Sequence, residues 1–218
     1  MTTNESFPKF DLPVDFIADD SITGDILNYY GNFPCKIKAG VFVLCTEGMV
    51  KATINLLEIV IRKNDFIVVL PNSFIQIHEV SSDTRISFAG FSSDFMLSGN
   101  YVEILLDFMP MILNSPVISL QEDVAGLYRN VYLLLIRAYT LPHSLENKEI
   151  IRSVLAIFLQ GTKELYKRYG KKLDEPLRRE QELYRQFIQL LMVHYTKEHE
   201  VAFYAEKCGV TAAHFSSA

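Results

Sequence analysis

VFVLCTEGMVKATIN, Val41 to Asn55, is the stretch on which the fold turns. Val50, Ala52 and Ile54 alternate with Lys51, Thr53 and Asn55, a period of two that sends one face into a core and the other into water. The preceding run, VFVLCT (Val41 to Thr46), is also strand-like. Glu47-Gly48 between the two suits a tight hairpin, because glycine accepts positive φ at no steric cost. Further along, LEIVI (Leu57 to Ile61) turns at Arg62-Lys63-Asn64-Asp65 into FIVVLP (Phe66 to Pro71), whose proline cannot donate to a ladder and ends the strand. FIQIHEV (Phe74 to Val80) and RISFAGF (Arg85 to Phe91) are expected to pair across Ser81-Ser82-Asp83-Thr84. Short strands at this spacing mean a sandwich or a barrel.

Beyond Pro116 the hydrophobic period becomes helical. Ser119-Leu120-Gln121-Glu122 has the spacing of a capping box, in which Ser and Glu would satisfy each other's backbone donors. Val124, Leu127, Tyr128, Val131, Leu134, Leu135 and Ala138 form one apolar stripe, and Tyr132, Leu133 and Ile136 form a flanking one. One face of the helix 122–139 can therefore cover the strand unit while another is left for a second copy, which predicts a homodimer. A second helix is expected from near Ser144 to Gly170, and a third from Asp174-Glu175-Pro176, since proline at the first helical position loses no hydrogen bond.

The closing stretch, VAFYAEKCGVTAAHFSSA (Val201 to Ala218), has the grammar of a helix-turn-helix. Two helices crossing tightly need a small residue on the first, here Ala205, and a glycine where the backbone turns, here Gly209. Thr211 is a good N-cap for the second helix. Ala212, Ala213 and His214 would lie near a major groove, with Lys207 and Lys197 as phosphate partners.

Composition limits the classes of function. The chain has 218 residues, 49% hydrophobic and 22% charged, as an ordinary globular protein does. Its net charge of −5 excludes a surface that is basic throughout, so any DNA contact is local. Three cysteines, Cys35, Cys45 and Cys208, are an odd number at no metal-like spacing, which fits a reduced, cytoplasmic setting. Neither a signal peptide nor a run of the roughly 20 apolar residues that spans a bilayer is evident, so no membrane association is expected.

The order of these parts resembles the AraC/XylS family of bacterial transcription regulators. The resemblance rests on VFVLCTEGMVKATIN, DFIVVLP and ISFAGFSSDFM, followed by helices and FYAEKCGVTAAHFSSA. It implies an α+β fold: a cupin-like jelly-roll β-barrel, then a helical dimerisation region, then the start of a helix-turn-helix domain. The expected divisions are a cupin-like ligand-sensing and regulatory domain at 1–116, a helical dimerisation and linker region at 117–178, and an incomplete DNA-binding part at 179–218. Family members carry two helix-turn-helix motifs. This sequence ends inside the recognition helix of the first, so a truncated product containing the regulatory part is implied, with DNA binding expected of the full-length protein alone.

A cupin enzyme is the main rival among catalysts. Metal-dependent cupins need several His and a carboxylate converging inside the barrel, yet among the five histidines His78 alone lies in the strand region, with Glu79 on the opposite face. No enzyme activity, metal or cofactor is expected. A third reading is a sensor that answers to a partner protein, with a solid strand interior. If a small organic effector binds instead, Lys36, Lys38, His78 and Arg85 are the candidate polar anchors, because they sit in or beside apolar strand patterns.

Overall fold

The computed structural model describes residues 9–30, 34–55, 57–97, 101–140, 148–170, 183, 186–187, 190, 194 and 197–213. Its strands are β1 (Lys9–Phe10), β2 (Phe16–Thr23), β3 (Cys35–Ile37), β4 (Gly40–Glu47), β5 (Met49–Ile54), β6 (Leu57–Arg62), β7 (Asp65–Val69), β8 (Ser73–Val80), β9 (Arg85–Phe91) and β10 (Val117–Ser119). The continuous helices among the described residues are α1 (Gly24–Tyr30), α2 (Ser93–Leu97), α3 (Tyr101–Asn114), α4 (Glu122–Thr140), α5 (Lys148–Tyr169) and α6 (Val201–Lys207). The strands form two five-stranded sheets, an outer one in the order β1-β3-β8-β5-β6 and a central one in the order β10-β7-β4-β9-β2. Apart from the parallel β1–β3 contact the pairings are antiparallel. The fold is thus α+β, with two open sheets in place of a closed barrel.

The central sheet is covered on both faces, and alternation along its strands shows how. Val43, Cys45, Ile67, Val69 and Ile86 meet Ile37, Ala52, Ile54 and Ile61 of the outer sheet in one apolar cluster. The opposite face carries Phe42, Leu44, Phe66, Val68, Ala89 and Phe91, packed against α3, α4 and α5. Every residue of β7 is buried, as expected of a strand with no solvent face. The continuous apolar runs VFVLC and FIVVL are the sequence counterpart of this middle layer. β10 adds to the same sheet, and the helices share one core with it.

Three expected pairings are corrected. β4 and β5 are joined at Glu47-Gly48 but lie in different sheets, so Gly48 marks a corner and not a hairpin. Its φ is +80°, and a Cβ there would lie 2.5 Å from the Cα of Thr84. The corner is held by Ser81 and Thr84: Met49 N–H donates to Ser81 Oγ at 2.8 Å, and Met49 C=O accepts from Ser81 N–H and Thr84 Oγ. β6 and β7 likewise change sheets through Arg62-Lys63-Asn64-Asp65, and β8 and β9 through Ser81–Thr84. The true hairpin is β5–β6, closed by Ile54↔Leu57 around Asn55, whose φ is +47°.

The helices begin earlier than the change of period at Pro116 suggests. α3 runs through Pro110, whose missing N–H reads in the sequence as a helix boundary. The capping box is also corrected: Ser119 belongs to β10 and donates to buried Asp65, while Glu122 accepts from Asn64 Nδ2 at 2.7 Å and Arg129 at 2.9 Å. These contacts, with Lys63 nearby, hold the Glu122 carboxyl below its ordinary pKa. α5 stops at Gly170 as expected; the start near Ser144 and the helix at 174–176 lie outside the described residues.

Candidate functional site

The four candidate anchors do not share a cavity. Lys36 points away from the cluster that takes up its neighbours Cys35 and Ile37, and its ammonium lies 5.7 Å from the centre of the Phe74 ring. Lys38 is exposed after β3, its carbonyl accepting from Ser93 Oγ. His78 is the extra residue where the β5–β8 register shifts, Lys51 facing Glu79 and Ala52 facing Ile77. The shift leaves His78 and Glu79 both exposed, with His78 Nε2 2.7 Å from Thr53 Oγ and Glu79 paired with Lys51. Arg85, on the central sheet, pairs with Glu47 at 3.4 Å. Lys36 and His78 are therefore on the outer sheet and Arg85 on the other.

Between the sheets the volume is taken by branched aliphatic side chains. A crevice at one end, among Ile54, Asn55, Leu70, Ser73, Ile112 and Pro116, has room for about one water. Among the described residues no three His, Cys, Asp or Glu side chains are placed to hold a metal ion.

The layer between the central sheet and the helices holds what sequence reading missed. Phe158 on α5 stands edge-on to Phe42, with centroids 4.9 Å apart, and to Tyr132 at 5.6 Å. Tyr128 and Tyr132, one turn apart on α4, are both turned inward, Tyr132 with no exposed surface and its hydroxyl without a hydrogen-bond partner among the described residues. Burial pushes both phenols well above their ordinary pKa. The sequence puts Tyr128 in the main apolar stripe and Tyr132 in the flanking one, without saying which faces the core. Helical spacing of three and four residues, Ala125-Tyr128-Tyr132-Leu135, was the available signal.

That inward face leaves the other side of α4 apolar and uncovered. Leu127 is 61% exposed and Leu134 52%, seven residues apart on one side with half-buried Val131 between them. Ile157 on α5 is 70% exposed. No described helix is long and apolar enough to cross a membrane.

At the carboxyl end, α6 buries Tyr204 and Ala205. Tyr204 stands edge-on to Phe187 at 5.6 Å and donates its hydroxyl to Glu198 C=O at 2.7 Å. The helix closes with the paired hydrogen bonds of a Schellman turn: Val210 N–H to Ala205 C=O and Gly209 N–H to Glu206 C=O, each 3.0 Å. Gly209 has φ +68°, with open space where a Cβ would go. Thr211 precedes the new helical turn at Ala212-Ala213, both exposed; His214 lies outside the described residues. Lys207 lies over the Phe203 ring at 5.8 Å. Gly209→Ala is expected to cost about 1 kcal/mol, from left-handed backbone alone, and Gly209→Asn less. Faster amide exchange confined to 201–213 would show it; unchanged exchange would contradict it.

No known family model matches the chain, and no curated protein does either. Among solved structures, the AraC-like transcriptional activator CuxR is similar over 81% of this chain and 59% of its own, at 9% identity and TM-score 0.45. This chain thus spans less than two thirds of CuxR. ToxT from Vibrio cholerae O395, bound to (E)-4-(8-methylnaphthalen-1-yl)but-3-enoic acid, is similar over 94% of this chain and 93% of its own, at 12% identity and TM-score 0.38. The EutQ protein of Clostridium difficile is similar over 36% of this chain and 55% of its own, at 14% identity and TM-score 0.25. All three are distant in sequence.

Proposed function

We propose that this chain is the sensing and dimerising part of a DNA-binding transcription regulator of the AraC/XylS type. The observation that carries the reading is the carboxyl-terminal turn: a helix packed through Tyr204 and Ala205, stopped at a left-handed Gly209, and followed at once by a new helix start after Thr211. This is the backbone a helix-turn-helix requires. In this reading the two sheets respond to an effector, α4 joins two copies through Leu127, Val131 and Leu134, and the helices beyond 179 begin the DNA-binding part. An effector that used Lys36, Lys38, His78 or Arg85 would bind at the surface and not between the sheets.

A second reading, a sensor answering to a partner protein, is favoured by the aliphatic filling between the sheets. Thermal-shift screening with sugars, fatty acids and aromatic acids separates the two, since a ligand bound by the folded state alone raises the melting temperature. A response to any of these classes supports the small effector; silence across all of them supports the partner.

Specific DNA binding takes a docked recognition helix and several phosphate contacts, more than Ala212, Ala213, His214 and Lys207 supply. Residues 1–218 are therefore expected to show no sequence-specific gel shift, and a chain carrying two complete helix-turn-helix motifs to show one. In the latter, Leu127→Lys with Leu134→Lys should raise the dimer dissociation constant about 100-fold, by placing charge in an apolar seam, and weaken DNA binding with it. Tight specific binding by residues 1–218, or dimerisation indifferent to both lysines, would count against the proposal.

A further inference from the structure

The edges of the two sheets are not alike. Proteins blunt exposed edges by keeping them short, bulged or covered. β1 has two residues and β10 three, while β2 carries a register shift between Asp19 and Ile22. β6, the other edge of the outer sheet, has none of these devices. Its six residues pair with β5 in unbroken register from Met49↔Arg62 to Ile54↔Leu57, and it contains neither proline nor lysine.

The hydrogen-bonding side of this edge follows from the hairpin. Ile54 and Leu57 close a two-residue turn and form a hydrogen-bonded pair, so the pairs at Ile59 and Ile61 also bond inward to β5. Alternation then turns the backbone groups of Glu58, Val60 and Arg62 outward. Arg62 N–H is taken by Asp65 Oδ2 at 2.7 Å. Among the described residues no backbone hydrogen bond outside the β5 pairing reaches Glu58 or Val60.

We propose that β6 is a self-pairing surface, on which a second copy of this chain adds its own β6 antiparallel about a two-fold axis at Val60. The sequence Glu58-Ile59-Val60-Ile61-Arg62 is complementary to itself in that register: Glu58 faces the partner copy's Arg62, Ile59 its Ile61, and Val60 its Val60. Val60 is 42% exposed, and Glu58 and Arg62 are exposed on the same face, with no ion pair to either among the described residues. Pairing gives two cross-strand ion pairs, at the spacing where opposite charges attract and like charges repel. On the inner face, half-buried Ile59 gains cover, and the aliphatic cluster continues from one copy into the next. Reciprocal Val60 hydrogen bonds, and Glu58 N–H donating to the partner's Arg62 C=O while Arg62 N–H stays on Asp65, supply the main-chain part, as in other strand additions. A different protein's strand on this edge would have no reason to need both charges.

The surface is separate from the exposed leucines of α4 and is tested separately. In the full chain, Val60→Cys places two thiols across the axis, where facing Cα atoms are about 5.5 Å apart and a disulfide can close. Under mild oxidation this variant should form covalent dimer well above the background of the chain's own cysteines. Glu58→Arg or Arg62→Glu, each setting like charges opposite one another twice, should slow cross-linking about tenfold. The double reversal Glu58→Arg with Arg62→Glu should restore it. All three positions are exposed, so circular dichroism should be unchanged. Cross-linking no greater than that of the unsubstituted chain, or unaffected by the single reversals, overturns the proposal, as does capture of the edge by an unrelated strand with the charges reversed.

Discussion

Phe158→Ala is expected to lower the stability of the fold by about 4 kcal/mol, the range for deleting a large buried aromatic side chain. Phe158 is 2% exposed and joins three elements at one point. Its ring meets Phe42 from β4, Phe66 from β7 at 6.2 Å, and Tyr128 and Tyr132 from α4 at 5.8 and 5.6 Å. The lost transfer free energy is compounded by a cavity that cannot collapse, because the sheet behind Phe42 and Phe66 is pinned on its far face by the second aliphatic cluster. For a chain of this size the melting temperature should fall by about 10 °C. Ile157→Ala, one residue away but 70% exposed, should change it little. Because Phe158 also seats α4, the same substitution should loosen the dimer seam proposed on that helix, whereas Ile157→Ala leaves α4 in place. Equal effects of the two alanines on melting would mean that the helical layer is not the second half of the core.

The strands were legible in the sequence; their partners were not. Alternation in Met49–Ile54 and the proline after FIVVL mark individual strands, because both signals are local. Whether a connection is a hairpin or a corner is decided elsewhere, by which sheet buries the next strand. Glu47-Gly48 has a hairpin's composition, yet Gly48 is needed for a close approach to Thr84, a residue 36 positions away. The same limit applies to the candidate anchors. Lys36 and His78 stand among apolar residues in the sequence, but the face a strand residue occupies depends on register, and a bulge at His78 resets it. The end of α6 was legible because its determinants are contiguous: a small buried Ala205 and a left-handed Gly209 stand four residues apart.

Groups buried on the two faces of the central sheet also fix how the protein should respond to alkali. Burial, with a smaller contribution from the nearby Asp65 carboxylate, pushes the Cys45 thiol up to about 11 from 9.0. The unfolded thiol loses its proton first, so the contribution is complete below about pH 9 and is lost as pH rises through about 11, for a total of about 3 kcal/mol. Tyr128, Tyr132 and Tyr166 behave likewise, burial being the first cause in each and holding the phenol protonated well beyond 10.0, where the unfolded chain ionises. Tyr166 also donates to Pro116 C=O at 3.1 Å, a bond its ionised form could not make. Between about pH 10 and about pH 11 the unfolded state thus binds roughly three fewer protons than the folded one, and stability should fall by roughly 4 kcal/mol per pH unit. Domains of ordinary stability do not survive that for long, and unfolding is expected near pH 11. Urea titrations from about pH 8 to about pH 11 measure the slope directly. Cys45→Ala should make it shallower by about 1.4 kcal/mol per unit from pH 9 upward, and Tyr132→Phe by the same amount from pH 10. A stability that stays level between those values would show that the thiol and the phenols ionise in the folded chain, and hence that water reaches both faces of the central sheet.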